Sequence, residues 1–367
     1  MTTEILDVIV IGAGAAGLTA AYDIHHDTSF TYKILEASDV IGGRLQKLEG
    51  FADFPIDIGG EWIHVPPSIL DEIYNDPNEN PTDTIETVQY IQTYEEWEDE
   101  EWNTYDLWNT DYKFKNYTWF DFFNDWMAPG LDVELNCTVD AIDWSSTPVQ
   151  LSCENGKQWA AKHVIVTSSV KVLQDHDLGF SPSLPQDTQE AIDEHYMLPG
   201  LKVFMKFQRR FYKEAFTFVE DHEDNEIPES DKYYYAATFG QDSNDNVLGM
   251  FAAGEPAEFF IGMTDNQIIG NLLEQLDDAY DGAASNNFIE GFVQDWTNST
   301  FVKGVYTYLN DDWDSLGSIP TMRQPLKDRV FLAGEAVPAD NYEWGFAHEA
   351  ALSGRFAAER VVELLDD

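Results

Sequence analysis

The strongest constraint on this chain is a set of glycines placed directly behind an apolar strand. Residues 5–11 (ILDVIVI) read as a buried parallel strand, and Gly12, Gly14 and Gly17 follow as G-x-G-x-x-G. The spacing has a mechanical reason. Gly12 permits a tight turn, Gly14 lets backbone approach a pyrophosphate, and Gly17 lets helix and strand pack closely. A helix predicted from Ala15 to His26 then aims its N-terminus, with Ala15 and Ala16 in the first turn, at phosphate charge. Residues 31–36 (TYKILE) predict the next strand. Glu36 ends it, next to Ala37, where a carboxylate meets a ribose hydroxyl. A β-α-β unit with this acid is a dinucleotide site. An ordinary glycine turn would leave Glu36 unexplained.

The rest of the chain divides unevenly. Residues 75–112 are polar and rich in Asp, Glu, Asn, Tyr and Trp, with weak periodicity, and are expected to be irregular with short helices. Segments 131–142, 148–153 and 157–167 predict strands, and 202–207 (KVFMKF) alternates as a strand should. Thr264 and Gln267 read as a capping box opening a helix through Tyr280. Residues 328–335 (DRVFLAGE) predict a buried strand ending in glycine, and 345–365 a last helix with small residues on one face. There are no repeats and no low-complexity linker.

The second strand is followed by EASDVIGGRL, where Gly42, Gly43 and Arg44 place a forked cation near a pyrophosphate. The run EAxxxxGGR followed by DIGGEWIH resembles the flavin amine oxidases: polyamine oxidases, monoamine oxidases and lysine-specific histone demethylases. The likeness continues in order through HVIVTSSVKVLQ (163–174), FSPSLPQDTQEAI (180–192), LPGLKVFMKFQRRFY (198–212), WTNSTFVKGVYTY (296–308) and the block at 329–359. The resemblance implies an α/β chain. A Rossmann-type FAD-binding domain (1–65, 130–175 and 295–367) would carry a reduced, discontinuous α+β substrate-binding domain with a mixed sheet and helices (66–129 and 176–294).

By the same resemblance, Gly14, Glu36, Gly43, Arg44, Gly59, Gly60, Glu61, Trp62, Ile63, Gly334, Glu335 and Gly345 should touch FAD, and Val139 should meet the adenine through its backbone. Glu335 would act through its carboxylate or backbone. Trp296 matches a tryptophan packed beside the flavin. Lys202 matches the lysine that holds a water near the flavin, whereas Lys206, of the same strand parity, is expected to run to solvent. Tyr306 and Phe346 match the aromatic pair that orients the amine, with Phe346 where a tyrosine is usual; Tyr308 and Trp344 stand nearby. Trp62 and His64 resemble the polyamine oxidases at this point, which implies that they, with Trp344, meet the substrate, His64 by sensing or binding an amino group. Val305 stands where monoamine oxidases carry the cysteine joined to flavin, so FAD should be non-covalent.

The implied reaction is oxidation of an amine, with oxygen as the final acceptor. The main rival is a desaturase or protoporphyrinogen-type oxidase, which shares the glycine blocks but lacks the lysine strand. A second rival is a flavin-binding protein without turnover, suggested by the stretch from Val65 to Gly130, which is shorter than the family's helical substrate region and leaves the pocket walls unassigned.

Composition narrows the substrate. The net charge of −48, from 68 acidic and 20 basic residues, repels nucleic acid and attracts cations, and is also the signature of a salt-adapted proteome. No arginine lies between Gln46 and Gln208, so a forked clamp for an amino-acid carboxylate is not evident there. The two cysteines, Cys137 and Cys153, suggest no disulfide framework and no metal set, which suits a reducing cytoplasm. No spanning hydrophobic run and no basic leader are apparent, so neither membrane insertion nor secretion is expected.

Overall fold

The computed structural model describes residues 4–98, 100–106, 110–218, 232–309, 317–339 and 343–366. Parts of the 75–112 stretch and of the 329–359 block lie outside these.

The apolar run at the N-terminus becomes the centre of an eight-stranded sheet. Strand Ile5–Ile11 runs parallel to Tyr32–Leu35 on one side and to Gln158–Val166 on the other. Val133–Glu134 extends the sheet past Tyr32–Leu35, and Val330–Leu332 runs parallel to the far end of Gln158–Val166. The near end of that long strand pairs antiparallel with Val149–Cys153, which pairs in turn with Val139–Asp143. Successive side chains of the first strand go to opposite cores. Val8 and Val10 belong to one cluster, Ile9 and Ile11 to the other, so both faces are covered.

Helices Ala15–Asp27 and Ala347–Asp366 cover one face and pack on each other. The predicted small residues explain the fit: a Cβ on Gly354 would lie 2.0 Å from the Ala16 carbonyl oxygen. Only glycine admits this approach.

A second, seven-stranded sheet runs in the order Phe288–Asp295, Gly200–Phe207, Val247–Ala253, Tyr233–Ala236, Ala215–Phe218, Thr93–Glu98, Glu101–Asp106. Helix Asp265–Ala279 opens with the Thr264–Gln267 capping box and buries Ile268, Ile269, Leu272 and Leu276 against it. Among the described residues, no helix is long and apolar enough to cross a membrane.

Three expectations change. Residues 75–112 hold three strands, the first residue of a fourth, and only a single 3-10 turn, Pro81–Asp83, among their described residues, rather than irregular structure with short helices. Cross-strand pairs explain the strands: Trp97 faces Trp102 at 4.9 Å between ring centroids, and Tyr94 faces Tyr105 at 5.6 Å. Secondly, pieces assigned to the substrate domain pack with the first sheet. Gly179–Ser181 is one of its strands, and Ile69, Leu70, Ile73, Trp119, Phe122 and Met127 share the core of the first helix. Thirdly, Cys137 and Cys153 form a disulfide with Cα atoms 5.7 Å apart. The pairing of Val139 with Cys153 brings Cys137 alongside, a proximity that spacing alone does not reveal. The cysteines therefore no longer support a reducing compartment.

Candidate active site

The two sheets wall a cavity of about 1230 Å³. Its glycine-rich end is made by Gly12, Gly14, Ala15 and Ala16 at the start of the first helix, with Gly42 and Gly43 opposite. Gly17 does not line it. That residue lies under the turn, where a Cβ would be 1.9 Å from the Gly12 carbonyl oxygen. The N-cap of the helix is Gly14, which offers no side-chain cap, so the first-turn N–H groups remain available for an anion. Glu36 is buried at the wall beside Ala37. Its Oε2 accepts from the Ala13 N–H at 2.6 Å and its Oε1 from the Ser38 N–H at 2.8 Å. Two backbone donors thus fix an acid at the edge of the cavity, although burial raises its pKa. Val139 lines the same end. An uncapped helix, an oriented acid and glycine walls fit the pyrophosphate and ribose of a dinucleotide.

Arg44 reaches the cavity from the GGR turn with part of its fork already committed. Its Nη1 donates to Glu335 Oε1 at 2.9 Å and to the Val305 carbonyl at 3.0 Å. Glu335 also accepts from the Thr307 backbone N–H at 3.2 Å and from the Thr307 hydroxyl, both on Oε2. Both carboxylate oxygens of Glu335 therefore hold protein donors; its backbone carbonyl accepts from the Gly345 N–H at 3.3 Å, and Gly334 donates its N–H to Ser353 Oγ at 3.0 Å.

The other end is aromatic. Trp62, His64, Trp296, Tyr306, Tyr308, Trp344, Gly345 and Phe346 all line it, as do Gly59, Gly60, Glu61, Lys202 and Val305. Trp296 donates to the Ile58 carbonyl at 2.8 Å, which pins it over Gly59. Gly345 lies against the Tyr306 ring; burial raises the Tyr306 pKa, so the group stays a neutral phenol. Phe346 lies between two imidazoles, 4.9 Å from His64 and 5.4 Å from His348. Burial, then the nearby His64, lowers His348 to about 4. His64 is within 3.1 Å of Asp111 and is partly exposed. Ile63, expected at the flavin, is instead fully buried in the core of the first sheet.

Lys202 is the most constrained cation. Its strand lies between two others, paired with Phe251 on one side and Gln294 on the other, and it is 2% exposed. Nζ donates to Glu61 Oε2 at 2.6 Å and lies 4.8 Å from the centroid of the Trp62 ring. Burial pushes the ammonium below the ordinary lysine value, against the pull of Glu61. For Glu61 burial raises the pKa, but Lys113 and Lys202 more than reverse this and bring it to about 2. Asp57, fully enclosed, is pushed well up by burial and by the Glu61 charge.

Several members of this cluster were not foreseen. Lys113 lies 2.7 Å from Glu61 Oε1, outside hydrogen-bonding direction, so charge alone holds that oxygen. Tyr235 donates to Glu61 Oε2 at 2.5 Å. Tyr90, Tyr233, Tyr235 and Phe251 surround Trp62 at centroid distances of 5.2 to 6.2 Å. The tyrosine run 233–235 was the visible signal, since alternate positions on a strand share a face. Lys113 gave none, because its strand, Tyr112–Phe114, is only three residues long and begins at the last residue of the stretch read as irregular. Against the expectation of no metal set, Glu343, His348 and Glu349 bring ligand atoms within 4.8 Å of one another. With three ligand atoms, one on an exposed side chain, they fall short of a closed coordination shell.

This architecture is that of a dinucleotide-binding flavoprotein, and comparison with known proteins agrees. The chain matches the model for flavin containing amine oxidoreductases over residues 122–362 and that for an NAD(P)-binding Rossmann-like domain over 10–76. It belongs to the flavin containing amine oxidoreductase family, whose cofactor is FAD. It is 27% identical over 236 residues to polyamine oxidase 1 of Zea mays, covering 63% of this chain and 45% of that one. It is 26% identical over 237 residues to the peroxisomal N(1)-acetyl-spermine/spermidine oxidase of Bos taurus (60% and 46%). A lysine-specific histone demethylase 1B homolog of Caenorhabditis elegans is 26% identical over 227 residues (58% and 27%). The matches thus span less than half the length of each of these relatives.

Proposed function

We propose that this chain is an oxidase of a cationic amine lacking a carboxylate, a polyamine or a monoamine, with FAD held non-covalently and oxygen reduced to hydrogen peroxide. The observation that carries this reading is a single cavity joining a phosphate-binding glycine turn to an aromatic end that contains one buried lysine. Bound FAD supplies the two-electron acceptor for the carbon–hydrogen bond beside nitrogen and the route to oxygen.

The chain's own residues do the rest. Tyr306 and Phe346 offer ring faces that orient the amine and favour positive charge as it develops on the substrate. The amine reacts in its neutral form, since an ammonium has no lone pair to assist loss of the hydride, and the imine formed is hydrolysed by water. Lys202 holds a proton at the cavity wall, where it orders water or stabilises charge on oxygen as it is reduced. Among the described residues Arg44 is the arginine in the cavity lining, and its Nη1 is engaged by Glu335, which supports a substrate without a carboxylate. Val305 has no thiol to join the flavin.

The test is anaerobic. Polyamines, acetylated polyamines and monoamines are added to the FAD-loaded protein, and flavin absorbance is followed. At least one should bleach the flavin, and air should restore the colour with release of peroxide. No bleaching across the panel removes the oxidase reading.

A further inference from the structure

Glu61 carries two buried ammonium groups, and only one of them faces the cavity. Lys202, from the seven-stranded sheet, takes Oε2 at 2.6 Å and lines the cavity. Lys113, from strand Tyr112–Phe114, stands 2.7 Å from Oε1 and donates to the Ala237 carbonyl at 2.9 Å. It is 5% exposed and does not line the cavity. A second enclosed ammonium is costly and meets no substrate, so its worth must lie in what it does to its neighbours.

We propose that Lys113 is a positioning residue for Lys202: by taking one oxygen of Glu61 it divides that carboxylate between two ammonium groups, and so sets how firmly Lys202 holds the proton it presents to the cavity. Alone with Glu61, Lys202 would be clamped as a permanent ammonium. Lys113 counters this twice, through like charge and through its share of the carboxylate. The titratable groups facing Lys202 are Glu61, Asp57 and Lys113, with Asp57 offering its carbonyl at 3.4 Å; the rings of Trp62 and Tyr235 complete the enclosure. Tyr235, whose pKa burial and Glu61 push well up, donates to Glu61 and stays neutral.

The proposal rests on Lys202 being the ammonium of the proposed site, and the test separates the two ideas. The full FAD-loaded chain is labelled with [ε-13C]lysine, the Lys202 signal is assigned by its loss in Lys202→Met, and its titration is followed by NMR. Lys113→Met and Lys113→Gln, the latter keeping a neutral polar side chain beside Glu61, should each raise the proton affinity of Lys202 by at least about tenfold, whereas Lys113→Arg should leave it within about twofold. Glu61→Gln should move it the other way. The same upward displacement should appear in the pH dependence of reoxidation of the chemically reduced holoenzyme, which needs no amine. An unchanged or lowered Lys202 titration in both Lys113→Met and Lys113→Gln overturns the positioning role, even if amines bleach the flavin. A displaced titration in a protein that no amine bleaches sustains it while the oxidase reading falls.

Discussion

Lys202 and Lys206 share a strand and a face, yet tertiary structure gives them different fates. Lys206 reaches Asp245 at 2.9 Å and the Phe51 carbonyl at 3.1 Å, with its end partly exposed. Lys202 is sealed against Glu61. Block resemblance singled out Lys202, whereas burial and partners show what distinguishes the pair physically. Glu61 yields a pH prediction at this scale. Its folded pKa of about 2 lies below the ordinary 4.5, so its contribution to stability is present above pH 4.5 and is lost as pH falls through about 2. Glu61→Gln should therefore flatten the acid limb of the stability curve across that window, measured by denaturant unfolding against pH. An acid limb as steep as that of the parent would show that Glu61 is not held ionised.

Elements were legible where local pattern and packing agree. The first strand, the glycine turn and the first helix could be read from residues 5–26, because a strand covered on both faces is a continuous apolar run. The capping box could be read too. Thr264 donates its backbone N–H to Gln267 Oε1 at 2.9 Å. Thr264→Ala should cost about 1 kcal/mol by thermal or denaturant unfolding and leave flavin affinity unchanged. A loss well below this would mean that packing on the second sheet, rather than the cap, sets the start of the helix. The hairpin Thr93–Glu98 with Glu101–Asp106 was illegible for the opposite reason. Its many acidic residues are poor strand formers, and aromatic pairing across the turn outweighs them. The disulfide was likewise invisible, since two cysteines say nothing of register until neighbouring strands pair.

For the whole molecule, the net charge of −48 surrounds a cavity in which half-buried Arg44 and buried Lys202 are each paired with acid. Such a field gathers cations over distance and is screened by salt. For a substrate carrying more than one positive charge, kcat/KM should fall as KCl is raised while kcat stays level. If instead activity and folded fraction both rise with salt, the charge serves salt adaptation rather than steering. The sequence by itself determined the cofactor end, because phosphate binding by backbone demands glycines at fixed spacing, an acid at the strand end and a helix start, all within a few dozen residues. It also carried, through ordered blocks, the family and the Lys202 strand. Only the tertiary structure decided how Lys202 is held. Glu61, Lys113 and Tyr235 come from three separate parts of the chain, and a buried ion cluster exists only once distant strands exclude water around it. No local pattern encodes that exclusion.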